Sequence, residues 1–209
     1  ILADIYQNAL LSGEEVEKEK QVIVEEMHKD RDNPMIYIWW IWENLLYGDQ
    51  PAGWDVIGEE KIIRSLKRED FTNYFHHQYV SKNTAVIIAG NFNHAEATGK
   101  VRELFSEIRD DPPFRKKPPV SEGQAVPSVK IEFKETDQTH FCLGVRAYDL
   151  FHPFKYAQQV LATILGGPMS SRLFIKVRER EALAYYIRTS SDNTTDTGYL
   201  VTQAGVDHK

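Results

Sequence analysis

The sequence predicts an α+β protein built as two layered domains, each a mixed or antiparallel sheet covered by helices. Three observations predict it. Capped segments with helical period and short β-rich runs share the chain without a regular β-α-β alternation. The stretch 109–127 (RDDPPFRKKPPVSEGQAVP) holds most of the nine prolines and divides the chain into 1–108 and 128–209. Hydrophobic residues make up 42% of the 209, enough apolar material for a core, beside 27% charged residues.

Ahead of the division the pattern is mainly helical. Residues 1–11 (ILADIYQNALL) read as a helix already in progress, without a cap. Ser12 and Glu15 form a capping box, with Leu11 and Val16 at hydrophobic-staple spacing, so a long helix is expected over 14–30. Asn33-Pro34 restarts the chain as a cap followed by proline in the first turn. The next helix, to about Tyr47, is apolar on nearly every side and is expected to be buried. Short helices follow at 59–66 and 68–79. The run 84–89 (TAVIIA) reads as a buried strand, and Asn93 caps a helix to about Ile108.

The stretch 109–127 is expected to be a semi-rigid, extended linker, because proline fixes φ and removes backbone donors. Beyond it, 129–133 and 139–145 read as paired strands. A helix over 154–165 stops at Gly166-Gly167, a second one capped by Ser170 runs to about Arg180, and strands over 184–190 and 198–204 complete the pattern.

Composition excludes some functions. A net charge of −6 with no basic cluster interleaved with aromatics argues against nucleic acid as a partner. No apolar run has the length of a membrane span. The single Cys142 forbids an internal disulfide. Without an initiator methionine, the chain reads as an excised internal piece. Compartment is left open, with a soluble cytoplasmic protein the reading favoured.

Within the long capped helix most glutamates are ordinary surface residues, Glu14 with Lys18 and Glu25 with Lys29 at i+4. Glu19 and Glu26 differ. Seven residues apart, they lie about 20° from each other around the axis, with Val22 and Ile23 between them and no basic residue three or four positions from Glu19. Carboxylates set in an aliphatic stripe need a compensating positive charge. Cations from elsewhere in the fold or a metal ion would supply it; two glutamates at the edge of a helix are the plainer account.

The segment 17–27 (EKEKQVIVEEM), followed by Lys29-Asp30 and Asn33-Pro34, resembles the second metal-ligand segment, E-x-E-x6-E, of the pitrilysin/insulinase and processing-peptidase family of zinc metallopeptidases. The resemblance continues in order through Gln50-Pro51, Ile57-Gly58, 75–83 (FHHQYVSKN), 88–91 (IAGN), 164–174 (ILGGPMSSRLF) and 177–185 (VREREALAY). It implies that Glu26 is a zinc ligand and that Glu19 is a catalytic-site carboxylate orienting the ligands. It further implies that Arg178 and Tyr185 bind substrate backbone and a developing oxyanion. The plain alternative is an arginine closing a helix and a tyrosine in a sheet core. The H-x-x-E-H segment that carries the family's other ligands and general base is missing from this sequence, and the isolated histidines, His76, His77, His94, His140 and His152, read as structural or exposed.

On the resemblance, 1–108 is the later part of a zinc-bearing peptidase domain and 128–209 the start of a similar second domain. The implied parent is a zinc metalloendopeptidase acting on peptides or unfolded segments, clasped with a second half or subunit in a clamshell. The chain alone is expected to be inactive. A non-catalytic scaffold or substrate-binding subunit of the same fold is the alternative, and a helical interaction module with no metal history is a further one.

Overall fold

The computed structural model describes residues 1–113 and 117–208; positions 114–116 of the expected linker and position 209 lie outside the described residues. The chain forms two compact units. The first gathers 1–25 and 59–118, the second 26–58 and 119–209.

In the first unit, helix α1 (Leu2–Gln7), the start of α2 (Gly13–Asp32), α4 (Glu60–Ser65), α5 (Arg68–Gln78) and α6 (His94–Leu104) are joined by polar and aromatic ties. Tyr6 sits against Tyr79 and Phe105 at centroid distances of 4.9 and 6.1 Å, and its hydroxyl lies 2.7 Å from Thr84 Oγ1. Arg68 Nε donates to the Leu11 carbonyl, just ahead of α2. Lys20, only 6% exposed, donates from Nζ to the carbonyl of Leu66 at 2.9 Å and to Glu17 at 2.8 Å. Leu66 caps α4, so this ammonium satisfies a helix-end carbonyl. The buried stripe of α2 is Val16, Lys20, Val24 and Met27, at i, i+4, i+8 and i+11.

The run 84–89 pairs with no strand among the described residues, and Val86, Ile87 and Ile88 are exposed. The expectation of a buried strand there is corrected. A strand satisfies its backbone only through a neighbour, and the described residues of this unit offer helices.

The second unit is organised by an antiparallel sheet of β1 (Thr139–Arg146), β2 (Ala184–Asn193) and β3 (Gly198–Val206) in the order β1-β3-β2. Along β3, alternate residues serve opposite faces. Tyr199 and Val201 meet Trp42, Leu46 and Tyr47 of α3 (Pro34–Tyr47), while Ala204 joins Ala184 and Ile187 beneath Leu173, Phe174 and Val177. The second face is covered by α7 (Lys155–Gly166) and a π-helix, Phe174–Arg180. Gly144 permits the close approach of α3: a Cβ there would stand 2.4 Å from the Leu200 carbonyl and 2.8 Å from the Trp42 ring.

Two further expectations change. Helix α3 is buried toward its C-terminal half, at Trp42, Leu46 and Tyr47, whereas Met35 and Ile36 in its first turn are exposed. Residues 129–133 do not pair with β1, whose partner is β3. There Lys130 donates to Asn44 Oδ1 at 2.9 Å and Glu132 accepts from the Tyr37 hydroxyl at 2.6 Å. These two polar side chains reach α3, while Val129, Ile131 and Phe133 are exposed.

Two substitutions test these ties. Gly144→Ala is expected to lower stability by about 1–3 kcal/mol, the usual cost of forcing a methyl into packed surroundings. Lys20→Ala is expected to cost a similar amount, roughly 1–3 kcal/mol, through the orphaned carbonyl. Urea unfolding of the chain followed by circular dichroism measures both.

Candidate functional site

Glu19 and Glu26 both lie on α2, and both are exposed. The expected aliphatic setting is therefore corrected. Helical geometry gives the reason: the buried stripe lies roughly 100° around the axis from these two glutamates, and Val22, their neighbour on the same side, is itself 49% exposed. Glu19 falls in the first unit and Glu26 in the second.

Arg178 and Tyr185 are brought together. The π-helix ends with Glu181 N–H donating to Lys176 and Leu183 N–H donating to Val177, and between them Ala182 takes the left-handed conformation at φ 51°. That conformation turns the chain directly into β2. There Arg178 Nε donates to the Tyr185 carbonyl at 2.9 Å, and the guanidinium lies 4.7 Å over the Phe174 ring. Nη1 is 3.6 Å from Glu179 Oε1. The fork is thus held by its Nε edge, while the residue remains partly exposed.

Tyr185 owes its position to a β-bulge. Ala184 pairs with Val206 and Tyr186 with Gly205, so Tyr185 is the extra residue. The bulge sends the small Ala184 into the core beside Ile187 and leaves the Tyr185 ring 56% exposed. On the other face Tyr186 hydrogen-bonds His140 Nδ1 at 2.9 Å. Burial, reinforced by Cys142, pushes the Tyr186 phenol up to about 12, and burial holds the His140 imidazole below its ordinary range. Sequence reading left His140 as structural or exposed; its pairing with Tyr186 runs across β3 and has no local signature.

A catalytic zinc takes three protein ligands and keeps a position open. Among the described residues, no three His, Cys, Asp or Glu side chains are grouped to hold a metal. The described residues do not by themselves make up a zinc donor set.

A family model described as the peptidase M16 inactive domain matches residues 65–209, more than half of the chain. The chain belongs to the peptidase M16 family. An uncharacterized zinc protease of Rickettsia felis is 32% identical over 209 residues, covering 100% of this M16 chain and 50% of its own length. A similarly named protein of Mycobacterium tuberculosis is 30% identical over 96% of this chain and 46% of its own. The chain thus spans about half the length of the curated relatives it matches. Two solved structures share the M16 fold. One is a protease from Helicobacter pylori, with TM-score 0.90 and 21% identity over 98% of this chain and 50% of that one. The other is pitrilysin, with TM-score 0.65 and 17% identity over 98% and 23%. Among the described residues no helix is long and apolar enough to cross a membrane.

The left-handed Ala182 yields a test. A Cβ in that region costs about 1–2 kcal/mol, part of which glycine returns as chain entropy. Ala182→Gly is expected to raise the unfolding midpoint of this chain, measured by thermal or urea denaturation.

Proposed function

We propose that the protein to which this chain belongs is a zinc-dependent metalloendopeptidase acting on peptides or unfolded segments. Glu26 is one of its zinc ligands, Glu19 is a carboxylate orienting the ligand set, and Arg178 and Tyr185 contact the substrate. The observation that carries this reading is the arginine fork fixed by its Nε at the exposed bulge residue. A guanidinium held at one edge presents its remaining donors without further loss of entropy, as backbone and oxyanion recognition require. The E-x-E-x6-E spacing of Glu17, Glu19 and Glu26 and the zinc-protease names of the relatives support it. In this reading 1–108 completes a zinc-bearing domain, 109–127 is the linker, and 128–209 begins a second, similar domain. A further half or subunit closes over the peptide, nucleic acid has no part, and the chain alone hydrolyses nothing.

A second reading has its own support. The matching family model is described as an inactive domain, and Glu19 and Glu26 are exposed on their helix. Both suit a scaffold or substrate-binding subunit without catalysis.

Substitution in the full-length protein separates the two. Glu26→Gln is expected to strip bound zinc, read by atomic absorption, and to abolish hydrolysis of a fluorogenic peptide. Glu19→Gln is expected to lower metal affinity or activity about 10–100-fold. Absence of bound zinc and of turnover in the unsubstituted full-length protein would establish the scaffold reading, whereas unchanged zinc content and turnover in both variants would overturn the roles given to Glu26 and Glu19. In calorimetry, the 209-residue chain alone is expected to bind zinc weakly, and tight one-to-one binding would contradict the assigned donor set.

A further inference from the structure

Arg178 owes its pose to more than the Tyr185 carbonyl. The Phe174 ring lies against its guanidinium, whose central carbon stands 4.7 Å from the ring centroid. The two residues are about one turn apart on the π-helix. Phe174 is itself held from beneath. With Leu173 and Val177 it packs against Ala184, Ile187 and the fully buried Ala204. A ring seated on close-packed residues has little room to turn, so it offers the arginine a fixed platform.

An edge contact and a face contact together define a plane. The Nε bond to the Tyr185 carbonyl fixes one edge but lets the group swing about that bond. The ring opposes the swing, because its negative face attracts the whole cationic surface laid upon it. The third neighbour is weaker. Nη1 stands 3.6 Å from Glu179 Oε1, beyond hydrogen-bond length, and both side chains are open to solvent. Nη2 has no partner among the described residues, and the arginine side chain is 40% exposed. Two contacts therefore hold the group, and one corner of the fork is left to meet another molecule.

We infer that Phe174 is a positioning residue: its ring sets the plane in which Arg178 presents Nη2 to the substrate. The inference rests on the peptidase reading for what Arg178 meets, while the pose is a property of this chain. Donors aimed at a developing oxyanion act only where they are already in place, so a loosened guanidinium weakens the chemical step more than binding. A ring that merely filled the core would be replaceable by any apolar side chain able to cover Ala184, Ile187 and Ala204. A positioning ring is replaceable only by another ring.

Two variants separate the face from the volume. Phe174→Leu keeps an apolar seat and removes the ring, whereas Phe174→Tyr keeps the ring. In the nitrogen-15-labelled 209-residue chain, the Arg178 Nε–H order parameter is expected to be high in the unsubstituted and tyrosine forms. In the leucine form it is expected to fall below about 0.6, the flexible range. Unshifted backbone amides of Ala184 and Ile187 check that the core beneath is intact. In the full-length protein, Phe174→Leu is expected to lower kcat for a fluorogenic peptide about tenfold, with KM and zinc content little changed. Phe174→Tyr is expected to retain most of the activity, and Phe174→Leu to add no loss in an Arg178→Ala background. An unchanged order parameter in the folded leucine form overturns the inference whatever the activity does. Equal losses of kcat in both variants, or a further loss on top of Arg178→Ala, overturn it as well. Full turnover in Arg178→Ala, with the order parameter still lost in Phe174→Leu, overturns the substrate role given to Arg178 and not the pose.

Discussion

The second unit rests on the approach of one helix to a strand that lacks a side chain at the point of contact. Trp42 lies over Gly144, and around that contact the rings of Tyr47 and Tyr199 and the side chains of Leu46 and Val201 close the core. Everything else in the unit is arranged from this seat. It fixes the face of β3 that α3 covers, and by strand alternation it leaves Ala204 and Ile187 to α7 and the π-helix on the opposite face.

Much of this was legible from residue order. The capping box at Ser12 and Glu15, the Asn33-Pro34 start of α3 and the Gly166-Gly167 stop of α7 are local signals, and the helices begin and end close to where they indicate. Strands over 139–146, 184–193 and 198–206 likewise carry their β-rich composition on the surface of the sequence. The failures share a cause. Residues 84–89 and 129–133 have the composition of strands, yet whether a run becomes a strand depends on a neighbour that composition does not supply. The uniform apolarity of α3 similarly does not tell its exposed first turn, Met35 and Ile36, from the buried half that carries Trp42, Leu46 and Tyr47.

The candidate site was legible only in part. Spacing placed Glu19 and Glu26 on one side of a helix, but it took the burial of Val16, Lys20, Val24 and Met27 to show that this side faces solvent. A lysine inside the buried stripe was invisible to a hydrophobicity count. Its partner, the Leu66 carbonyl, lies 46 residues away. Arg178 and Tyr185 were marked by resemblance alone. Their actual link, a guanidinium edge on a backbone carbonyl at a bulge, is a feature of register that side-chain identity does not encode.

The bulge carries a consequence for how this sequence can vary. In an uninterrupted ladder, a tyrosine would occupy the slot that an alanine now fills, and that slot is lined by Ile187, Ala204 and Val206 with no room for a ring. Shortening the chain by one residue at this spot would drive an aromatic group inward and pull the arginine's anchoring carbonyl out of reach. Lineages are thus free to exchange residues on the outer surface here, while a change in loop length between the π-helix and β2 would unseat core and fork together.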